Sequence, residues 1–122
     1  MKATELRIGN YVQVNSEIKK VTAIGFEAIT SNRTWPHDYH KYDEVEPVRL
    51  SENKLKDFGF KRGVGRNNLP IMRIGGLYVY LDDFTITYLG NILAGEGYVH
   101  QLQNIYFALN GVDLVDKSVG AK

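Results

Sequence analysis

The segment Tyr98 to Leu114, YVHQLQNIYFALNGVDL, constrains this chain more than any other. Val99, Leu102, Ile105, Tyr106 and Leu109 recur at steps of three and four, which places them on one face of an α-helix, with Gln101, Gln103 and Asn104 elsewhere. Gly111 comes next, where a glycine supplies a left-handed C-terminal cap. The rest of the chain reads as a mostly β domain, which this long helix is expected to join.

Residues 1–50 carry the first group of strands. Asn10–Val14 alternates around Tyr11, Val12 and Val14; Ile18–Ile24 carries Val21 and Ile24; Glu27–Thr30 is short; Tyr39–Val48 returns through Tyr42 and Val45. Asn15-Ser16, Gly25 and Ser31-Asn32 provide turn chemistry between them. Closely spaced short strands of this kind suggest a small SH3-like β-barrel, with Pro47 marking its exit because proline cannot donate to a central ladder.

In residues 51–122, Ser51 is an N-cap, Glu52 suits the positive helix end, and Leu55 and Phe58 precede the terminating Gly59, over which Phe60 can fold back. The stretch from Arg62 to Asn68 is glycine-rich and polar, and is expected to be a loop. Ile71–Ile74 and Leu77–Leu81 flank Gly75-Gly76 as a hairpin, and Asp82-Asp83 turns the chain into Phe84–Leu89. A connection from Gly90 to Gly97 leads to the long helix, and the tail from Lys117 is expected to fray. The expectation is α+β and mostly β: an SH3-like barrel over 1–50, then helix, antiparallel sheet and C-terminal helix over 51–122, sharing one core.

The composition supports a packed domain. In 122 residues, 43% are hydrophobic, with eight Tyr, five Phe and one Trp, which is enough to fold without a metal or a disulfide. Cysteine is absent, so disulfides, thiolate nucleophiles and Cys-ligated zinc are excluded together, in keeping with a reducing, cytoplasmic setting. The first residues lack the apolar core of a signal peptide, and no run approaches the roughly 20 apolar residues that span a bilayer, so neither secretion nor membrane insertion is expected.

Net charge is only +1, which provides no global field for nucleic acid. Charge is nevertheless concentrated locally: Lys54, Lys56, Lys61, Arg62, Arg66 and Arg73 face Asp57 alone within residues 54–73. Within that stretch the candidate contacts to nucleic acid or phosphate are Lys61, Arg62, Gly63, Gly65, Arg66 and Arg73, because glycines let a backbone approach phosphate closely while flanking cations neutralise it. A P-loop would need a Lys-Ser or Lys-Thr and a preceding strand, and both are missing from the pattern.

A second candidate is Trp35-Pro36-His37-Asp38-Tyr39-His40. His37, Asp38 and His40 can be set against a divalent metal, which would make a metal-dependent enzyme the weakest of three functional readings. The plainer reading is a hairpin tip whose aromatic residues cover the barrel or anchor a protein interface through Trp35, His37 and Tyr39. His100 and Gln103 share a helix face away from the apolar stripe, with Asn104 close by, and either line an interface or cap neighbouring backbone. Asp82 and Asp83 are adjacent, which suits a turn better than an acid and base pair. The acidic run Asp43-Glu44-Val45-Glu46 fits a solvated strand edge. No Gly-x-Ser-x-Gly elbow or other activated nucleophile occurs, so a non-enzyme without a cofactor is expected.

Three blocks carry a resemblance. Leu6-Arg7-Ile8-Gly9-Asn10-Tyr11-Val12, then Val45-Glu46-Pro47-Val48-Arg49-Leu50-Ser51 leading to Leu55 and Gly59-Phe60, and finally Val99 to Leu109, VHQLQNIYFAL, appear in that order. Together they resemble a small uncharacterised protein family found in Bacteroidota genomes, prophages and phages. The blocks mark core and turn positions and bring no active site with them; family members differ most between Gly63 and Gly97. The resemblance implies phage or mobile-element biology, and with it a protein that binds a host protein or ribonucleoprotein, such as an inhibitor of a host defence nucleoprotein of the anti-CRISPR type, acting on protein or guide RNA. The alternative is a nucleic-acid-binding accessory protein that contacts RNA or DNA through the basic stretch.

Overall fold

The computed structural model describes residues 1–31 and 38–116. The chain divides into two units, one formed by Met1–Val48 with Tyr98–Asn104 and the other by Arg49–Gly97 with the residues from Ile105 onward. The first half of the long helix therefore groups with the N-terminal strands, whereas the sequence assigned the whole helix to the second part.

In the first unit, β1 (Tyr11–Val14) alternates inward Val12 and Val14 with outward residues. Asn15 and Ser16 both take positive φ, 51° and 67°, which gives the two-residue turn whose twist matches a hairpin, and β2 (Glu17–Lys20) returns in register with Val14 opposite Glu17. β3 (Ala23–Ile24), β4 (Ala28–Thr30) and β5 (Tyr39–Lys41) form a second antiparallel sheet. The expected single strand Ile18–Ile24 is thus two strands, and the reason lies in its partners. Val21 donates its backbone N–H to Asn10 O (2.9 Å), while the next residue, Thr22, donates to Thr30 O (2.9 Å), so the chain changes sheets between them.

The expected strand Tyr39–Val48 is also interrupted. After β5 the chain makes a tight 3₁₀ turn over Tyr42–Glu44 before β6 (Glu46–Pro47) pairs with β1. Asp43 and Glu44 therefore belong to a turn and not to a strand edge. β6 is an edge of the sheet order β2-β1-β6, a position that tolerates Pro47. Leu6, Val12, Val14, Val21, Ile29 and Val45 form one buried cluster fed by both three-stranded sheets. Among the described residues no sheet closes into a barrel.

The second unit begins with α1 (Glu52–Asp57), capped as its sequence dictates: Ser51 Oγ accepts from Lys54 N–H at 3.1 Å. At the other end Phe60 N–H bonds Leu55 O and Gly59 N–H bonds Lys56 O, with Gly59 at φ +92°, the paired bonds of a Schellman stop. β7 (Lys61–Val64), β8 (Pro70–Ile74), β9 (Leu77–Tyr80), β10 (Ile86–Tyr88) and β11 (Asn91–Ala94) form one antiparallel sheet in chain order. Met72, Val79 and Ile86 are fully buried on one face, and α1 packs against β8.

Two strands of this sheet were not visible in the sequence. β7 takes in the first residues of the expected loop, Arg62 to Val64, its glycine masking a strand that pairs along four residues of β8, and Gly65–Leu69 turns. β11 lies in the expected Gly90–Gly97 connection, exposed at the sheet edge beyond a β-bulge.

The long helix α2 (Val99–Asn110) ends at Gly111, φ +72°, whose N–H bonds Phe107 O at 2.8 Å. Val99 and Leu102 are buried as the apolar period requires, but His100 (2% exposed) and Gln103 (3%) are buried beside them, and Leu109 is exposed. The buried face is therefore rotated from the apolar stripe. None of the helices described is long and apolar enough to cross a membrane.

Candidate functional site

The polar residues of α2 explain the rotation. Gln103 Oε1 accepts the Tyr11 N–H at 2.8 Å and its Nε2 donates to Gly9 O at 3.0 Å, satisfying two backbone groups that no strand reaches. Asn10, wholly buried, accepts the Arg7 N–H (2.7 Å) and donates to Asn104 Oδ1 (2.8 Å), while Asn104 Nδ2 reaches Glu5 O (3.2 Å). His100 stacks on Tyr98 with ring centroids 5.8 Å apart. Gln103 and His100 thus face the interior of the chain and present no side chain to a partner, which corrects their place in the expected interface.

Trp35 and His37 lie outside the described residues. Of the remaining members of that group, Tyr39 is exposed on β5, and His40 Nε2 shares a hydrogen bond with Ser31 Oγ at 2.8 Å. Among the described residues no three His, Cys, Asp or Glu side chains gather as metal ligands. A hairpin tip that the sequence did not single out carries Phe26, 97% exposed between β3 and β4.

The basic stretch is divided by strand alternation. Lys61 lies directly opposite Arg73, and Arg62 opposite Met72, so Lys61 and Arg73 share one face while Arg62 points to the other. There Arg62 Nη1 meets Glu52 Oε2 at 3.1 Å, and the same carboxylate takes Lys56 at 3.4 Å; Lys54 faces Asp116 at 3.6 Å. Arg62 therefore leaves the expected phosphate site.

The register continues across the sheet. Arg73 stands opposite Tyr78, Tyr78 opposite Thr87, and Thr87 opposite Ile92. Lys61, Arg73, Tyr78, Thr87 and Ile92 thus form one row over five strands, about 19 Å long at the usual interstrand spacing. Lys61, Arg73 and Ile92 are exposed, Tyr78 is half-buried and Thr87 is buried. A recess of about 250 Å³ opens beside Lys61 and Arg73.

The glycines serve this face by packing. A Cβ on Gly63 would stand 3.2 Å from Arg73 Nε, and one on Gly65 would stand 2.8 Å from Ile71 Cγ2 and 2.9 Å from the Tyr80 hydroxyl. Their missing side chains admit Arg73 and Tyr80, so the spaces are filled from within the chain and are not open to a phosphate. The Tyr80 hydroxyl accepts the Arg66 N–H at 3.1 Å, and the Arg66 guanidinium reaches Gly90, whose added Cβ would lie 3.5 Å from Nη2. Arg66 therefore crosses the face from the β7–β8 turn toward the β10–β11 turn.

Beneath it is an open recess of about 300 Å³ that includes Tyr80, Asp82, Asp83, Thr87 and Ile92. Asp83 Oδ1 accepts the Thr85 N–H at 3.0 Å, and this bond, joined by one from the Thr85 hydroxyl, holds its carboxyl below the usual carboxylate range. Tyr78, Tyr80, Thr87 and Ile92 escaped the sequence reading. The alternation of Leu77 and Val79 with Tyr78 and Tyr80 was the available signal, since it puts the two tyrosines on the face opposite the core.

Fold and site together define a small, mostly β, α+β protein with one sheet face on which the exposed cations Lys61 and Arg73 flank the half-buried Tyr78 and Tyr80. No protein-family model matches the chain, and no curated protein and no solved structure is significantly similar to it.

Proposed function

We propose that this is a non-catalytic, cytoplasmic binding protein that takes a single-stranded nucleic acid, free or within a host nucleoprotein, on the outer face of its five-stranded sheet. The observation carrying this reading is the row Lys61, Arg73, Tyr78, Thr87, Ile92 with Arg66 crossing beside it. Two cations directly opposite one another repel, at a cost of a few tenths to about 1 kcal/mol that a bound polyanion removes. Among the described residues neither Lys61 nor Arg73 has an acidic partner within ion-pair distance. Tyrosines beside such cations offer stacking surfaces that every base can use.

The test is fluorescence anisotropy with a labelled single-stranded oligonucleotide over a salt series. Binding should weaken steeply with salt and be lost in Lys61→Glu/Arg73→Glu. Salt-independent binding, or binding unchanged by that double reversal, would refute the reading.

A second reading is favoured by Phe26: docking on a host protein as an inhibitor of a defence nucleoprotein of the anti-CRISPR type, in the mobile-element setting implied by the resemblance. In the same vein the first unit is read as an SH3-like barrel, on the ground that Val21 and Thr22 hand one strand between two sheets that share a core. Phe26→Ala should abolish capture of that partner while leaving stability within about 0.5 kcal/mol, as expected for an exposed side chain.

A further inference from the structure

We propose that the recess under Arg66 is a guanine-reading pocket at the end of the nucleic-acid face. This rests on the reading above, and it extends that reading from charge to sequence preference. Thr87 and Ile92 belong both to the cross-sheet row and to the recess, so a strand lying on the row brings a base to its mouth.

The charges decide what enters. Two carboxylates, Asp82 and Asp83, stand against the single guanidinium of Arg66, and Asp83 is held ionised by Thr85. A phosphate is repelled there, whereas a neutral group rich in N–H donors is attracted. A carboxylate is an acceptor with two oxygens and matches two donors set side by side. Guanine alone among the four bases presents an N1–H and a 2-amino group together on its Watson–Crick edge; uracil offers one N–H, and the amino groups of adenine and cytosine sit next to an acceptor.

Each of the other walls has a use in base binding. The Tyr80 ring, Ile92 and Leu69 give an apolar surface for the base plane, and a guanidinium such as that of Arg66 can stack on it from the other side. Asp83 already spends one oxygen on the Thr85 N–H, so Asp82 is assigned the contact to the guanine edge, with Asp83 fixing the turn that presents it. The recess is open on its outer side, as a site for a base within a continuous strand must be.

The probe is a labelled uridine octamer and the same octamer with one central guanosine, adenosine, cytidine or inosine, titrated against the full chain. One bidentate base contact predicts at least about fivefold tighter binding of the guanosine oligomer than of octauridine. Inosine, which lacks only the 2-amino group, should lose most of that gain, and Asp82→Asn should abolish the difference between guanosine and uridine oligomers. The inosine arm needs no altered protein, so it stands even if the variant misfolds. Equal affinity for all five oligomers, or a guanosine preference kept by inosine, would overturn the pocket while leaving the sheet-face reading intact. Binding to none of them would overturn both.

Discussion

Asn10 donates from Nδ2 to Oδ1 of Asn104 at 2.8 Å across 94 residues of chain, and both side chains spend their other polar atoms on backbone groups of the segment from Glu5 to Arg7. Gln103 holds the two residues that flank Asn10 by their backbone, Gly9 and Tyr11. The first and last of the blocks that carry the resemblance therefore meet in one hydrogen-bonded clasp. Its residue types are demanded by buried backbone polarity, with no catalytic demand needed to account for them.

Replacing Gln103 with Leu keeps the volume but strands the Tyr11 N–H and the Gly9 carbonyl. At one to three kcal/mol for each stranded group, the loss should be about 3 kcal/mol by urea denaturation. Asn104→Ala should cost less, and the double-mutant cycle of Asn10→Ala with Asn104→Ala should return a coupling of about 1 kcal/mol. A cost under about 0.5 kcal/mol for Gln103→Leu would mean that the helix is held by Val99 and Leu102 alone.

The two glycines of β7 and its turn should respond differently to alanine. At Gly65 the new methyl meets Ile71 and the Tyr80 ring below 3.0 Å, both part of the packed face, so Gly65→Ala should destabilise by about 1–3 kcal/mol. At Gly63 the nearest atoms are the flexible arm of Arg73 at 3.2 Å and 3.3 Å, which can move aside. Gly63→Ala should therefore be close to neutral in thermal melts, and equal melting shifts for both variants would show that the Tyr80 contact is not tight.

Stability and binding should part company at the opposed cations. Arg73→Gln removes a like-charge pair and should raise stability by a few tenths of a kcal/mol, while reducing the slope of log affinity on log salt by about 0.7. Arg62→Gln lies on the other face against Glu52, and should leave both the affinity and its salt slope unchanged. A larger loss of affinity from Arg62→Gln than from Arg73→Gln would place the strand on the wrong face of the sheet.

Asp83 gives the acid limb of the stability curve a definite sign. Its folded-state carboxyl titrates below the ordinary value, so its contribution is complete above about pH 4 and disappears as pH falls through the folded-state value. Asp83→Asn should be less stable than the parent at pH 6, with the gap narrowing below pH about 4. The group is exposed and the gap will be small. A gap that widens on acidification would contradict the hydrogen bond from Thr85.

Where the structure agrees with the sequence, the cause is local. Ser51 and Gly59 bound α1, Gly111 stops α2, and Asn15-Ser16 and Gly75-Gly76 turn hairpins, because each acts on backbone within a few residues of itself. The split of Ile18–Ile24 into two strands, the burial of His100 and Gln103, and the strands β7 and β11 were not readable in that way.

The sequence by itself determined a mostly β, α+β chain without cysteine, its main helix, its caps and its tight turns, and the concentration of cations between Lys54 and Arg73. The tertiary structure alone decided which of those cations act together. Strand pairing set Lys61 beside Arg73 and turned Arg62 to Glu52, and it brought Tyr78 and Thr87 into the same row. The reason is that side chains alternate along a strand, so a shift of one residue in register sends every group to the opposite face, and register is fixed by partners distant in sequence.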